Sequence, residues 1–186
     1  MREMLFERCK MEKVSNVFCI AQRWEDVSIA QLGAPYDLVL ASFSLGMPDI
    51  RTALLKMNAC SCGEVVCYWS SGISLWEKIM SFLYERVNKK PYLPAPKAQL
   101  LVQVLEDEGI SPRFIEYGEQ YIDAYATFDE AVDNAIQRIS IPKDLDVEII
   151  REEIGEYLKD VFVEKGGMWY LNGYIQVGRV SWKASN

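Results

Sequence analysis

Between Asn16 and Asp49 the sequence runs NVFCIAQRWEDVSIAQLGAPYDLVLASFSLGMPD. Two strand-like apolar runs, Val14–Ile20 and Tyr36–Ser42, each end in a polar cluster. Gln22, Trp24, Glu25 and Asp26 follow the first; Ser42, Ser44 and Asp49 close or follow the second. In open α/β sheets, ligands bind outside the carboxyl ends of the strands, so both clusters are candidates for one shared crevice. A carboxylate there accepts hydrogen bonds, and an indole or phenyl ring offers a flat apolar wall. In an arbitrary protein the same Trp-Glu-Asp is a solvated turn with an aromatic lid on the core, and Tyr-Asp is simply a strand start.

Composition removes other chemistries. The 186 residues include no histidine, which excludes imidazole-based triads, His-ligated zinc and His pH switches. The odd number of cysteines, Cys9, Cys19, Cys60, Cys62 and Cys67, reads as reduced thiols in a cytoplasmic protein rather than a disulfide framework. Cys60, Cys62 and Cys67 lack the double C-x-x-C spacing, so no metal site is expected. A net charge of −7 repels a nucleic-acid backbone. The apolar stretches are strand-sized, so no membrane span or membrane partner is expected. With half its residues hydrophobic, a chain of this length forms one compact domain that buries roughly 70% of its unfolded surface.

The elements that position the clusters follow from periodicity. Met1, Met4, Leu5 and Cys9 mark an opening amphipathic helix, and Val14–Ile20 reads as a buried strand. Tyr36–Ser42 has the continuous apolar run of a parallel strand covered on both faces. Asp49 is an N-cap for a helix carrying Ile50, Ala53, Leu54 and Met57. Glu64–Ser70 is a third strand, and Ser74-x-x-Glu77 caps a helix to about Val87. Pro91, Pro94 and Pro96 stiffen a connector before a helix that Gly109 ends. Pro112–Tyr125 is extended, Thr127-x-x-Glu130 caps a helix through Ile139, and Ile150, Ile154, Leu158 and Val161 mark another after Pro142. Asn172-Gly173, between Trp169–Leu171 and Tyr174–Val180, signals a C-terminal hairpin. The β-α alternation predicts an α/β fold with a mostly parallel sheet, helices on both faces and an antiparallel strand or hairpin at the C-terminus.

With these residues in order, the chain resembles the class I, Rossmann-like S-adenosylmethionine-dependent methyltransferases. Arg23-Trp24-Glu25-Asp26 is similar to the family's acidic turn at the adenine. Tyr36-Asp37-Leu38-Val39-Leu40 is similar to the strand after it. Ser42 to Asp49 looks like the segment lining the cofactor's methionine side. The resemblance implies S-adenosylmethionine as cofactor, with Trp24, Glu25, Asp26, Ser42, Phe43 and Ser44 as its contacts and Trp24 or Phe43 as the wall for the ring. Methyl transfer is a direct displacement that alignment alone can drive, so the lack of histidine is tolerable. If the acceptor needs deprotonating, Asp49, Glu77 and Tyr84 are unranked candidates, and no catalytic residue is assigned. Trp69, Trp76 and Tyr92 line either a substrate pocket or the core. The acidic balance makes a small molecule the default acceptor.

The resemblance also implies something missing. The family's first strand with its glycine-rich loop, and its second strand ending in an acidic residue, have no counterpart in this sequence. Two β-α units, roughly thirty residues each, are therefore expected to be absent. Residues 1–186 then form a single partial domain truncated at its N-terminal side. In the family order the absent strands lie between Val14–Ile20 and Tyr36–Ser42, so an edge of Leu38–Ser42 is left unpaired. Three outcomes are open: a longer natural chain, a homodimer or partner chain covering the edge, or Val14–Ile20 shifting to pair directly. The alternative function is a non-catalytic remnant or binding subunit that assembles through that edge. An unrelated nucleotide-binding domain would need a phosphate loop, and neither G-x-x-x-x-G-K-[ST] nor G-x-G-x-x-G occurs.

Overall fold

The computed structural model describes residues 2–139, 141 and 146–184. Its sheet contains β1 (Tyr36–Ser42), β2 (Ser61–Ser70), β3 (Arg113–Tyr125), β4 (Val163–Lys165) and β5 (Met168–Lys183), in the order β1-β2-β5-β3 with β4 also on β5. Only β1 and β2 pair in parallel, while β5 runs antiparallel to β2, β3 and β4. The sheet is thus mostly antiparallel by pairing, against the sequence expectation. Helix α3 (Ile50–Ala59) supplies the one crossover that returns a strand beside its predecessor in the same direction. Beyond β2, α4 (Leu75–Asn88) and α5 (Ala98–Asp107) carry the chain to the far edge, where β3 points the same way as β2. β5 then enters between β2 and β3, pointing the other way.

Two cores sit on opposite faces. Cys67, Val65, Val180 and Trp182 pack with Leu54 and Met57 of α3 and with Leu101 and Leu105 of α5. Leu171 packs with α4, α6 (Phe128–Arg138) and α7 (Val147–Lys159) through Ile79, Leu83, Val132 and Ile154. Leu171 and Val180 lie on one strand at positions of opposite parity, so they face opposite sides. Helices therefore cover both faces, as expected. Trp76 belongs to the second of these cores: it is buried against Phe162, its indole N–H donates to Asp123, and the Arg138 guanidinium lies 4.5 Å from its ring centroid.

The predicted caps form. Asp49, Ser74 and Thr127 accept from the backbone N–H three residues on, at 3.0, 3.1 and 3.2 Å. Gly109 follows α5 at φ 74°. The opening helix is α1 (Arg2–Met11), and Met1 and Pro142 lie outside the described residues.

Three expectations fail. Val14–Ile20 is not a strand; it runs without sheet pairing, and Phe18 is 92% exposed. A strand exists through its ladder, and this segment neither shifts to pair with β1 nor meets another strand among the described residues. β1 is accordingly an edge and is not covered on both faces. Val39 and Ala41 join the α3/α5 core, while Leu38 and Leu40, on the other face, are 55% and 58% exposed. Asn172-Gly173 is not a turn but the interior of β5, opposite Ile122 and Tyr121. Gly173 is needed there because the Tyr121 ring lies where a Cβ would stand. The hairpin turns instead at Gly166-Gly167, whose φ values of 64° and 77° suit a two-residue loop between Lys165 and Met168.

Gly63 sets the start of the one parallel pair, since a Cβ on it would meet the backbone carbonyl of Asp37 on β1. Backbone cannot yield as a side chain can. Gly63→Ala should therefore cost about 1–3 kcal/mol, read as a lower urea midpoint with an unchanged slope; an unaltered midpoint would show that the two strands can part there.

Candidate functional site

The polar cluster after residue 20 folds as a tight turn leading into the short helix α2 (Ile29–Leu32). The amides of Asp26 and Val27 donate to the Arg23 carbonyl at 3.1 and 3.2 Å, and Ser28 and Gln31 form a reciprocal capping box. Val27 is buried, anchoring the turn from below. The Arg23 guanidinium bonds the Glu25 carboxylate at 2.6 Å. Glu25's own backbone N–H and then Arg23 hold that carboxyl below its usual value of 4.5. Because the folded value is the lower one, this pairing contributes fully above the unfolded pKa and is lost as pH falls through the folded one.

Lys56, on α3, fastens the turn to the body of the protein. Its ammonium donates to the Trp24 and Glu25 carbonyls and lies 4.9 Å from the Trp24 ring centroid. Cation, carbonyls and ring face form one clamp. Trp24 forms a wall of a cleft of about 170 Å³, with Val39, Leu40, Ser44, Met47 and Met57 among the others. Its indole N–H is buried and has no acceptor. The lining takes in Val39, Leu40 and Ala41 from the C-terminal half of β1 and Ser44, Leu45 and Met47 from the segment that follows it.

The predicted site residues therefore divide. Trp24 and Ser44 share the cleft; Glu25 and Asp26 are exposed on the same turn. Ser42 is the last residue of β1, opposite Tyr68, and is exposed. Phe43 does not line the cleft but stacks on Trp69, with centroids 6.2 Å apart and planes 27° apart. The candidate bases all have structural partners: Asp49 caps α3, Glu77 pairs with Lys97 at 2.5 Å, and Tyr84 meets Tyr92 edge to face. Cys67 is inert, its thiol pushed up to about 12 by burial, and Cys60 is shifted the same way. Among the described residues, no three His, Cys, Asp or Glu side chains are grouped to hold a metal ion, and no helix is long and apolar enough to cross a membrane.

Sequence reasoning missed Lys56 and the apolar lining from Met47 and Met57. Met57 was visible only as a core position. Lys56 stands 32 residues from Trp24, and no spacing rule connects them.

No protein-family profile matches the chain, and no curated protein matches it in sequence. Solved structures do overlap it. A candidate methyltransferase of Bacillus halodurans matches at 10% identity and a TM-score of 0.44, over 82% of this chain and 65% of that one. The YcgJ protein of Bacillus subtilis matches at 13% identity and 0.48, over 96% and 76%. The MccD protein matches at 13% and 0.43, over 96% and 73%. The chain thus spans a little under two thirds of the first of these structures. At these scores and identities the overlap carries no argument about function, which rests on the site itself.

Lys56→Met keeps the stem and removes the cation. Amide exchange over residues 23–27 should then accelerate about tenfold, equivalent to 1.4 kcal/mol of local opening, with α7 unchanged. Equal protection in both proteins would mean that buried Val27 holds the turn unaided.

Proposed function

We propose that the chain is part of an S-adenosylmethionine-dependent methyltransferase, that the cleft beside Trp24 takes the adenine end of the cofactor, and that the methyl acceptor is a small molecule in the cytoplasm. The observation that carries this reading is the clamped turn, which sets Trp24 in the wall of a mainly apolar cleft. A flat aromatic face suits stacking on a heterocyclic base, and adenine carries acceptor nitrogens and an exocyclic amino donor. The Asp26 carboxylate accepts from that amino group in this reading, and the Trp24 ring and Met57 sandwich the base.

A cleft of about 170 Å³ is smaller than the roughly 300 Å³ at which pockets for whole drug-sized ligands begin. It suits the ring alone. Ser44 lines the cleft and Ser42, two residues before it, is exposed; the resemblance puts Ser42 to Asp49 on the methionine side, and the family's glycine-rich loop and ribose-holding acidic residue have no counterpart in this sequence. When bound, S-adenosylmethionine supplies an electrophilic methyl group on a sulfonium. With Asp49 capping α3 and Glu77 paired with Lys97, the residues at the cleft contribute by binding and orienting.

Calorimetric titration of the 186-residue chain with S-adenosylhomocysteine tests the reading. Micromolar binding is expected, weakened about tenfold in Asp26→Ala by the loss of one hydrogen-bonded carboxylate. No binding to the parent chain would overturn it; unchanged affinity in the variant would remove Asp26 from the site.

The open edge of β1 favours a second reading, a binding subunit that assembles by strand addition. Past the register irregularity between Tyr36 and Leu38 the edge runs Leu38-Val39-Leu40-Ala41 with no lysine or proline, residues that normally protect edge strands, and Leu38 and Leu40 are exposed. Pairing with a second copy buries these leucines. Sedimentation should therefore show concentration-dependent self-association that Leu40→Lys abolishes. A clean monomer at every concentration would discard this reading.

A further inference from the structure

Phe43 is the one aromatic residue in the described chain whose backbone lies in the left-handed region, at φ 48°. A phenylalanine adopts this conformation only under strain. The strain is held in place by the Phe43 N–H, which donates to the Tyr68 carbonyl of β2 at 2.9 Å. Nor is the strain offset by full burial, because the residue is 50% exposed. Glycine would make the same turn without strain, so the turn alone does not explain a phenyl group.

The ring rests on an immobilised partner. Trp69 donates its indole N–H to the Pro96 carbonyl at 2.8 Å, which fixes its plane. The chain is latched again directly after that bond. Lys97 pairs with the half-buried Glu77, and the Gln99 amide donates to the Ser71 carbonyl at 3.2 Å and to Glu116 at 3.1 Å. Ser71, whose buried hydroxyl has no partner, follows directly on β2. The result is a rigid, half-exposed aromatic stack at the carboxyl ends of β1 and β2. Ser44, the next residue after Phe43, lines the Trp24 cleft. The chain thus passes from one surface to the other within two residues.

We propose that the Phe43–Trp69 stack is the platform for the methyl acceptor, and that the acceptor is a planar ring compound lying on Phe43. The inference rests on the methyl-transfer reading for the word acceptor, but the platform itself depends only on the stack. In the transfer, a lone pair on the acceptor's oxygen or nitrogen bonds to the methyl carbon as the carbon–sulfur bond breaks. The bonding pair stays on sulfur, and the acceptor's proton leaves to water. Phe43 is a positioning and specificity residue, fixing the ring's plane beside the cleft.

Indole and cyclohexanol serve as flat and puckered probes in NMR titrations of the full chain. Indole should bind at least fivefold more tightly than cyclohexanol. Phe43→Asn, which suits the left-handed backbone, should erase that preference while leaving S-adenosylhomocysteine affinity unchanged. Phe43→Leu, which keeps apolar bulk, should do the same and covers the case in which the asparagine variant unfolds. Equal binding of the two probes, or an indole affinity indifferent to both variants, overturns the platform. Parallel loss of indole and S-adenosylhomocysteine also overturns it, since Phe43 would then belong to the cofactor cleft. If neither protein binds S-adenosylhomocysteine but the Phe43-dependent preference for indole holds, the methyl-transfer reading fails and the platform stands.

Discussion

Strand β5 holds the molecule together. Its sixteen residues pair with β2 along one part of its length, with β3 along nearly all of it and with β4 at its start. It also supplies both cores, Leu171 to one face and Val180 and Trp182 to the other. A strand flanked on both sides has its ladder satisfied and its side chains buried alternately up and down, so its register cannot slip by one residue without turning both cores outward. Register is further fixed where Gly173 and Gly118 admit the rings of Tyr121 and Tyr174.

That anchoring leaves the other end of the sheet open. β1 is held by β2 alone, and its free edge and its exposed Leu38 and Leu40 lie at the side of the fold that β5 does not reach. The candidate site is built at this less constrained end and carries its own fastenings. Lys56 ties the Trp24 turn to α3, and the bonds of Pro96, Lys97 and Gln99 tie the connector to β2 and α4. A strand added to β1 would lie against Val39, Leu40 and Ala41, which also line the cleft. A strand added at this edge would therefore also alter the wall of the cleft.

Local signals in the sequence were reliable where the physics is local. The caps at Asp49, Ser74 and Thr127 need only three neighbouring residues, and the apolar run of Tyr36–Ser42 marked a parallel strand, although the cover on both faces that it implied is absent from the exposed Leu38 and Leu40. What the sequence could not show depended on contacts remote along the chain. Val14–Ile20 has strand composition, but whether it becomes a strand depends on a neighbour. Asn172-Gly173 has the composition of a turn, yet the glycine answers to Tyr121, 52 positions away. Direction was misjudged because alternating β and α segments suit a parallel sheet until a last strand enters in the opposite sense. The two polar clusters were visible in the sequence; that Phe43 would leave the cleft for Trp69 was not, since a backbone turned to φ 48° leaves no mark in residue type.

If the flat end of S-adenosylmethionine binds between the Trp24 turn and the carboxyl end of β1, backbone amides there must respond to it. A map of amide shifts in the ¹⁵N spectrum of the whole chain as S-adenosylhomocysteine is added reads this out. Saturable shifts are expected at residues 24–26 and 39–45 and around Met57, with helices α6 and α7 silent. Saturable shifts confined to α6 and α7, or no shifts at millimolar ligand, would contradict that placement.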